Sequence, residues 1–408
     1  MYDLLKSRSA ALRGEAVALA RRLVMTASPS LHEEEAAACV TQAMREAEFD
    51  DIRRDEAGNV VGCLRGREAA PTLLLLTHLD TASPGDLSKW KESPFSGRVA
   101  DGRLHGLGAA DCKGGIAAQV CAMQTLKRSL LPLRGNIVVA VTVAEEAGGS
   151  AGTRVLLDRT LPALELKPSF AVLGEPTDLS LYYGHDGWTK ILVTVQGVDP
   201  FHVNDAAHAI HADLQLLREQ RAAHGGPDIA AAVPAVEDTG GVWRARMDVH
   251  RRLAAADNAS DVAARVRREA ELVAMSAGQG VVDAAVCEED ARLYTGHNAR
   301  VARVTPPWRL DPFNPLMLRA RQALAAAGLP VRAGCWQVGR PDMGTAGGVL
   351  MTEYDIPVIG FGPGEESQAH APNESVSVER IAQAVYGTAA IAHALVGVPV
   401  CGWSSDEI

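Results

Sequence analysis

Five stretches of the 408-residue chain place side chains that bind cations at or just beyond the ends of apolar runs. "TLLLLTHLD" closes on His78 and Asp80, "NIVVAVTVAEE" on Glu145 and Glu146, and "SFAVLGEPT" carries Glu175. Asp111 stands in "GLGAADCKGG", the turn before a helical stretch, and His370 lies past the run "IPVIGFGPG". Two imidazoles and several carboxylates in one crevice form a hard-to-borderline donor set, suited to zinc, manganese or cobalt. Such carboxylates need a cation among them, because like charges at short range raise each other's pKa. Singly the motifs say little: an H-x-D is weak, an adjacent Glu-Glu is more often a solvated face, and "GEPT" can be a turn opened by its proline. Their joint placement carries the reading.

A parallel sheet brings such residues together, since ligands of open α/β sheets bind beyond the carboxyl ends of the strands. Apolar spacing predicts helices over 10–25 and 34–47, then a strand pair around "DIRRDEAGNVVGCLRG" with Gly58-Asn59 as its turn. Strands over 72–78, 136–146 and 169–177 alternate with helices over 112–129 and 150–159. Fully apolar strands separated by helices indicate a mostly parallel sheet covered on both faces. After about residue 180 the pattern changes. Alternating strands over 189–198 and 241–253, with helices over 206–224 and 258–276, read as a small inserted α+β domain. The first pattern resumes near residue 298, ending with a strand over 356–364 and a helix over 378–396. The expected division is a catalytic domain from 1–182 and 298–408, interrupted by an insert at 183–297.

Hydrophobic residues make up 47% of the chain and charged residues 22%, an ordinary globular composition. The net charge of −10 argues against nucleic acid or an anionic membrane as partner. Seven scattered cysteines with no C-x-x-C pair read as reduced thiols, and no stretch approaches the ~18 apolar residues of a membrane span. The amino-terminal stretch, with arginines among its apolar positions, reads as an amphipathic helix and not a signal peptide. A soluble, cytoplasmic protein acting on a small molecule is expected.

The ordered set "THLDT", "GLGAADCKGG", "AEEAGGSAGT", "GEPT", "FGPG" and "AHAPNE", preceded by "SPSLHEEE" and "DEAGNVVG", resembles a known family. It is that of the co-catalytic metallohydrolases aminoacylase, carboxypeptidase G and succinyl-diaminopimelate desuccinylase, with the desuccinylase-like branch nearest. The resemblance implies a zinc-exopeptidase-like catalytic domain with an inserted lid or dimerisation domain, one or two divalent ions per subunit, and a homodimer or larger homo-oligomer. It implies that Asp111 bridges two ions, with His78 and Glu175 completing one shell and Glu146 and His370 the other. Asp80 would accept from the His78 imidazole and fix its tautomer. Glu145 would be the general base for an activated water. A C–N hydrolase for a carboxylate-bearing substrate follows.

The chain departs from that pattern in places. Relatives carry Gly-x-x-x-His and Asn-Ala-Ile elements in the small domain; here the stretch is "GVDPFHVNDAAHAI", with the histidine displaced by one residue and His208 in place of the asparagine. His202 is the candidate oxyanion donor and His208 a candidate substrate contact, unless both are merely helix-entry residues. The family's Thr-Asp appears as Thr345-Ala346. Trp188 and Trp336 offer a flat wall for a planar substrate if they are not core residues, and Arg340 is the candidate grip on a substrate carboxylate. The altered lid raises an alternative: an aminohydrolase releasing ammonia from a 2-aminobenzoate such as 5-nitroanthranilate, where no carbonyl oxyanion needs a donor. A non-catalytic metal-binding protein would have lost the base, and Glu145 is present.

Overall fold

All seven residues of the strand Thr72–His78 are buried, as befits an apolar run closed in from both faces. In the computed structural model, which describes residues 1–222, 229–277, 280–337 and 344–398, this strand lies inside an eight-stranded sheet. It pairs in parallel with Asn136–Thr142 on one side and Phe170–Leu173 on the other, and Val358–Gly360 extends the parallel set. The hairpin Asp51–Arg54 and Val60–Leu64 adds an antiparallel edge, and Leu181–Tyr182 with Ala333–Gly334 completes the sheet. The architecture is α/β, with a mostly parallel sheet flanked by helices.

The helices bury the faces their spacing dictates. Glu34–Glu46 buries Ala36, Ala37, Val40, Ala43 and Met44, a three-four repeat. Val378–Val396 starts where Ser377 Oγ accepts from the Arg380 N–H at 3.4 Å, and packs against Gly114–Arg128 and Pro315–Ala326. Gly115 is obligatory: a Cβ there would lie 1.9 Å from the carbonyl oxygen of Gly174. That close approach sets the helix Gly114–Arg128 beside the residue preceding Glu175.

A smaller α+β unit follows. Its antiparallel sheet runs Ile229–Ala231, Trp243–Leu253, Gly187–Gly197, Val281–Val286, with Ile191 opposite Val249. Ile191, Val193 and Val195 face the helices Pro200–Ala222 and Ala259–Ala277 and form a second core with Val203, Ile210, Val262 and Val266. Within the segment 183–297, this core draws on residues from Ile191 to Ala284; Trp188 and Leu293 pack instead into the large core.

Several elements end earlier or start sooner than their sequence pattern predicts. The strand expected to 146 stops at Thr142, and that expected to 177 stops at Leu173. Glu145, Glu146 and Glu175 therefore sit in turns beyond the strands. The helix expected from 206 starts at Pro200, where Asp199 Oδ1 accepts the N–H groups of Phe201 and His202. No helix among the described residues is long and apolar enough to cross a membrane.

Candidate metal centre

The parallel strands deliver their next residues to one edge of the sheet, and there the separated motifs meet. His78 closes its strand with Nε2 3.4 Å from Asp111 Oδ1 and 3.6 Å from Glu175 Oε2. The other oxygen of Asp111, Oδ2, lies 3.5 Å from His370 Nε2, which is also 2.9 Å from Glu146 Oε1. Asp111 thus presents one oxygen to each of two histidine–glutamate pairs. Ligand atoms of His78, Asp111 and Glu175 lie within 4.8 Å of one another, as do those of Asp111, Glu146 and His370. The thiol of Cys112 belongs to the first group by distance, but its Sγ takes the N–H of His78 at 3.4 Å, and burial pushes that thiol up.

The electrostatics of the cluster suit a cation. Burial pushes Glu175 up to about 7 and raises Glu146, and Asp111 adds to both. Burial likewise holds Glu145 well above the usual carboxylate range, with Glu175, Glu146 and Asp80 adding to it. Burial opposes a charge on His370, but hydrogen bonds to Asp111 and Glu146 overcome this and push it to about 11. Burial works against ionised Asp111 too, and the two imidazoles hold it well below its ordinary value. A cation would relieve this crowding, and two imidazoles with three carboxylates are the donors a divalent ion takes. The residues present fit a pair of divalent ions sharing Asp111.

The loops are shaped by carboxylates that touch no candidate ion. His78 Nδ1 lies 2.9 Å from the carbonyl oxygen of Asp80, so Nδ1–H donates there and Nε2 is the nitrogen that faces Asp111 and Glu175. The partner expected for that imidazole was the Asp80 carboxylate, which instead lies 3.6 Å away. That carboxylate takes the N–H groups of Glu145 at 3.1 Å and Glu146 at 2.9 Å, and the Ser30 hydroxyl at 2.7 Å. Glu374, the last residue of "AHAPNE", is buried and accepts the N–H groups of Gly108, Ala110 and Asp111 at 2.8, 2.7 and 3.0 Å. Lys113, fully buried, ties the same turn to the carbonyls of Leu23 and Thr26 at 2.9 Å each. Glu374 and Lys113 escape a sequence reading because a lone charged residue is by default a surface one.

Beside the cluster, Asp111, Glu175, Pro176, Trp336, Thr345 and Glu366 line a small cleft of about 30 Å³. Trp336 is among its lining residues, although it is only 8% exposed and part of the large core, its Nε1 donating to the Pro176 carbonyl at 2.9 Å. Trp188 is not: it is 2% exposed and lies in the large core. His202 and His208 are exposed on the helix Pro200–Ala222; His202 lies 3.8 Å from Asp199, and His208 Nδ1 lies 3.0 Å from the Asn204 carbonyl of its own helix. Neither joins the two clusters around Asp111. Arg340 lies outside the described residues.

His185, unremarked in the sequence, backs the cleft. Its Nδ1–H donates to the Asp186 carbonyl at 2.8 Å, and Nε2 accepts the Thr345 N–H at 3.0 Å. Burial pushes it down to about 4. Because the folded value lies below the unfolded one, the unfolded chain takes up this proton first. The stabilisation is complete above about pH 6.5 and is lost as pH falls toward 4, by at most about 1.4 kcal/mol per pH unit. His185→Gln should flatten that part of the profile: in denaturant unfolding, its stability difference from wild type should change between pH 6.5 and 4. A constant difference would rule His185 out as the source.

Fold and site together define a class, the α/β metallohydrolases, with a candidate metal site at one edge of the sheet. Within it the chain belongs to peptidase family M20/M25/M40, whose family model matches residues 74–395. YgeY of Escherichia coli (strain K12), an uncharacterized protein, is 27% identical over 396 residues, 91% of this chain and 92% of its own. Succinyl-diaminopimelate desuccinylase of Paracoccus denitrificans (strain Pd 1222) is 31% identical over 209 residues, 49% of this chain and 54% of that one. Among solved structures, the Bacillus subtilis YXEP protein, described as a dinuclear metal binding peptidase of the M20 family, superposes with a TM-score of 0.66 at 17% identity, covering 94% and 98% of the two chains. The protein is a hydrolase of carbon–nitrogen bonds.

Proposed function

We propose that this chain hydrolyses the amide bond of a small carboxylate-bearing substrate, an N-acyl amino acid or short peptide. The observation that carries this reading is Asp111, whose two oxygens face separate histidine–glutamate pairs beside Glu145. His78 and Glu175 would hold one ion and Glu146 and His370 the other, with Asp111 shared and zinc, manganese or cobalt the metals that suit the donors. Ions so held acidify water and polarise a carbonyl. Glu145, its proton affinity raised by burial, accepts a proton from water as the new C–O bond forms. It returns that proton to the nitrogen as the C–N bond breaks, so the amine leaves neutral. Trp336 bounds the cleft and keeps one face of the substrate dry.

The names of the relatives, a desuccinylase and a peptidase, support an acyl or peptide substrate. They do not favour release of ammonia from an aromatic amine. Exposed Val198, Phe201, Met275 and Val281, near the ends of paired elements of the small unit, support its pairing with a second copy in a homodimer.

Protein loaded in turn with zinc, manganese and cobalt should release amine from at least one member of a panel of N-succinyl and N-acetyl amino acids and dipeptides. A chelator should abolish that activity and the ion restore it. Turnover that survives complete chelation, or ammonia released only from 2-aminobenzoates, would overturn the reading.

A further inference from the structure

The turn carrying Glu145 and Glu146 is held from outside itself. Four successive N–H groups each meet a side-chain acceptor: Val143 donates to Asn59 Oδ1 at 3.0 Å, Ala144 to Glu33 Oε1 at 3.0 Å, and Glu145 and Glu146 to the two oxygens of Asp80. Ala144 has φ 55°, a left-handed conformation that a residue with a Cβ rarely adopts unless its surroundings impose it. The residue that grips Ala144 is Glu33.

Glu33 has no evident duty elsewhere. It stands at the capping position of the helix Glu34–Glu46, yet its side chain makes no capping bond. It is fully buried; Oε1 takes the N–H groups of Leu31 and Ala144, while Oε2 has no hydrogen-bond partner among the described residues. It belongs to neither cluster of candidate ligands. A buried carboxylate with one oxygen idle is costly to keep for the local turn at Leu31 alone.

We propose that Glu33 is a positioning residue for the metal centre: by holding Ala144 in its left-handed conformation, it aims Glu146 at His370 and Glu145 at the cleft. This rests on the roles given above to Glu145 and Glu146. The inference makes an asymmetric demand. Losing Glu33 disturbs the cluster that contains Glu146 and leaves the cluster of His78 and Glu175, built on other strands, as it was.

Ion titration by calorimetry with manganese and with zinc tests this without any substrate. In Glu33→Ala, affinity for one of two ions should fall about 10–100-fold, the range typical for residues that orient a ligand, while the other stays within twofold of wild type. Glu33→Gln should restore both, since an amide oxygen still accepts from Ala144 and its NH2 displaces no bond at Oε2. Should Glu33→Ala not fold, Glu33→Asp serves instead, its carboxylate drawn back by one methylene and the same selective loss expected. On any amide substrate that wild type cleaves, kcat should fall about 10–100-fold with KM within threefold. Equal weakening of both ions, wild-type affinity for both, or Glu33→Gln failing as Glu33→Ala does would each overturn the proposal. Selective ion loss in a protein that cleaves no amide would leave Glu33 as described and sink the proposed function; amide turnover with unaltered ion binding in Glu33→Ala would do the reverse.

Discussion

Glu145→Gln is expected to lower kcat by about 10²–10⁴-fold, the span that a positioned acid–base group contributes, with both ion affinities close to wild type. The N–H of Glu145 is fixed by Asp80 at 3.1 Å, and its side chain belongs to neither cluster around Asp111. In the proposed mechanism its carboxylate exchanges a proton from that held position. Glutamine keeps the shape and the backbone contact but takes up no proton in this pH range. Since Glu145 stands in neither cluster around Asp111, the ions should remain. Single-turnover rates beside metal content by mass spectrometry separate the two effects. Turnover within tenfold of wild type would remove Glu145 from the mechanism.

Asp111→Asn is expected to go further, taking turnover to background and weakening at least one ion more than the 10–100-fold typical for residues that only support a ligand. The two carboxylate oxygens lie 3.4 and 3.5 Å from imidazoles of opposite clusters. An amide keeps one of them as an acceptor and turns N–H hydrogens toward the other cluster. The shared charge is lost as well, so the ions would face each other with less screening between them. An ion present at about a hundred times its Kd stabilises the native state by about 2.7 kcal/mol. That increment, read as the shift in thermal unfolding on adding manganese or zinc, should be largely missing in the variant. A wild-type shift would show that Asp111 is not shared.

The elements that position this site differ in how far composition reveals them. Thr72–His78 and Val378–Val396 lie where the apolar pattern predicts, since each is buried by its own periodicity. The strand ending at Thr142 reads four residues longer in sequence because "VAEE" continues the run without a break. What ends it is the capture of successive N–H groups by Asn59, Glu33 and Asp80, residues more than sixty positions away. No local propensity records that. Trp188 misleads for a related reason. Ile191, Val193 and Val195 alternate onto the small core, so Trp188 falls on the opposite face of the strand, at the end that the large core covers. Glu374 and His185 carry no periodic signal; only the turn wrapped around Glu374 and the tryptophans beside His185 show what they do.

Glu374 and Asp80 grip peptide groups and ignore the side chains attached to them. At Gly108, with φ 77°, and at fully buried Ala110 there is no room for a larger side chain, so the turn beneath Asp111 is fixed twice, by the acid and by its own packing. The same feature warns anyone transplanting the five candidate ligands into another scaffold. Without the acids buried beneath them, the donors would arrive in the right order and point the wrong way.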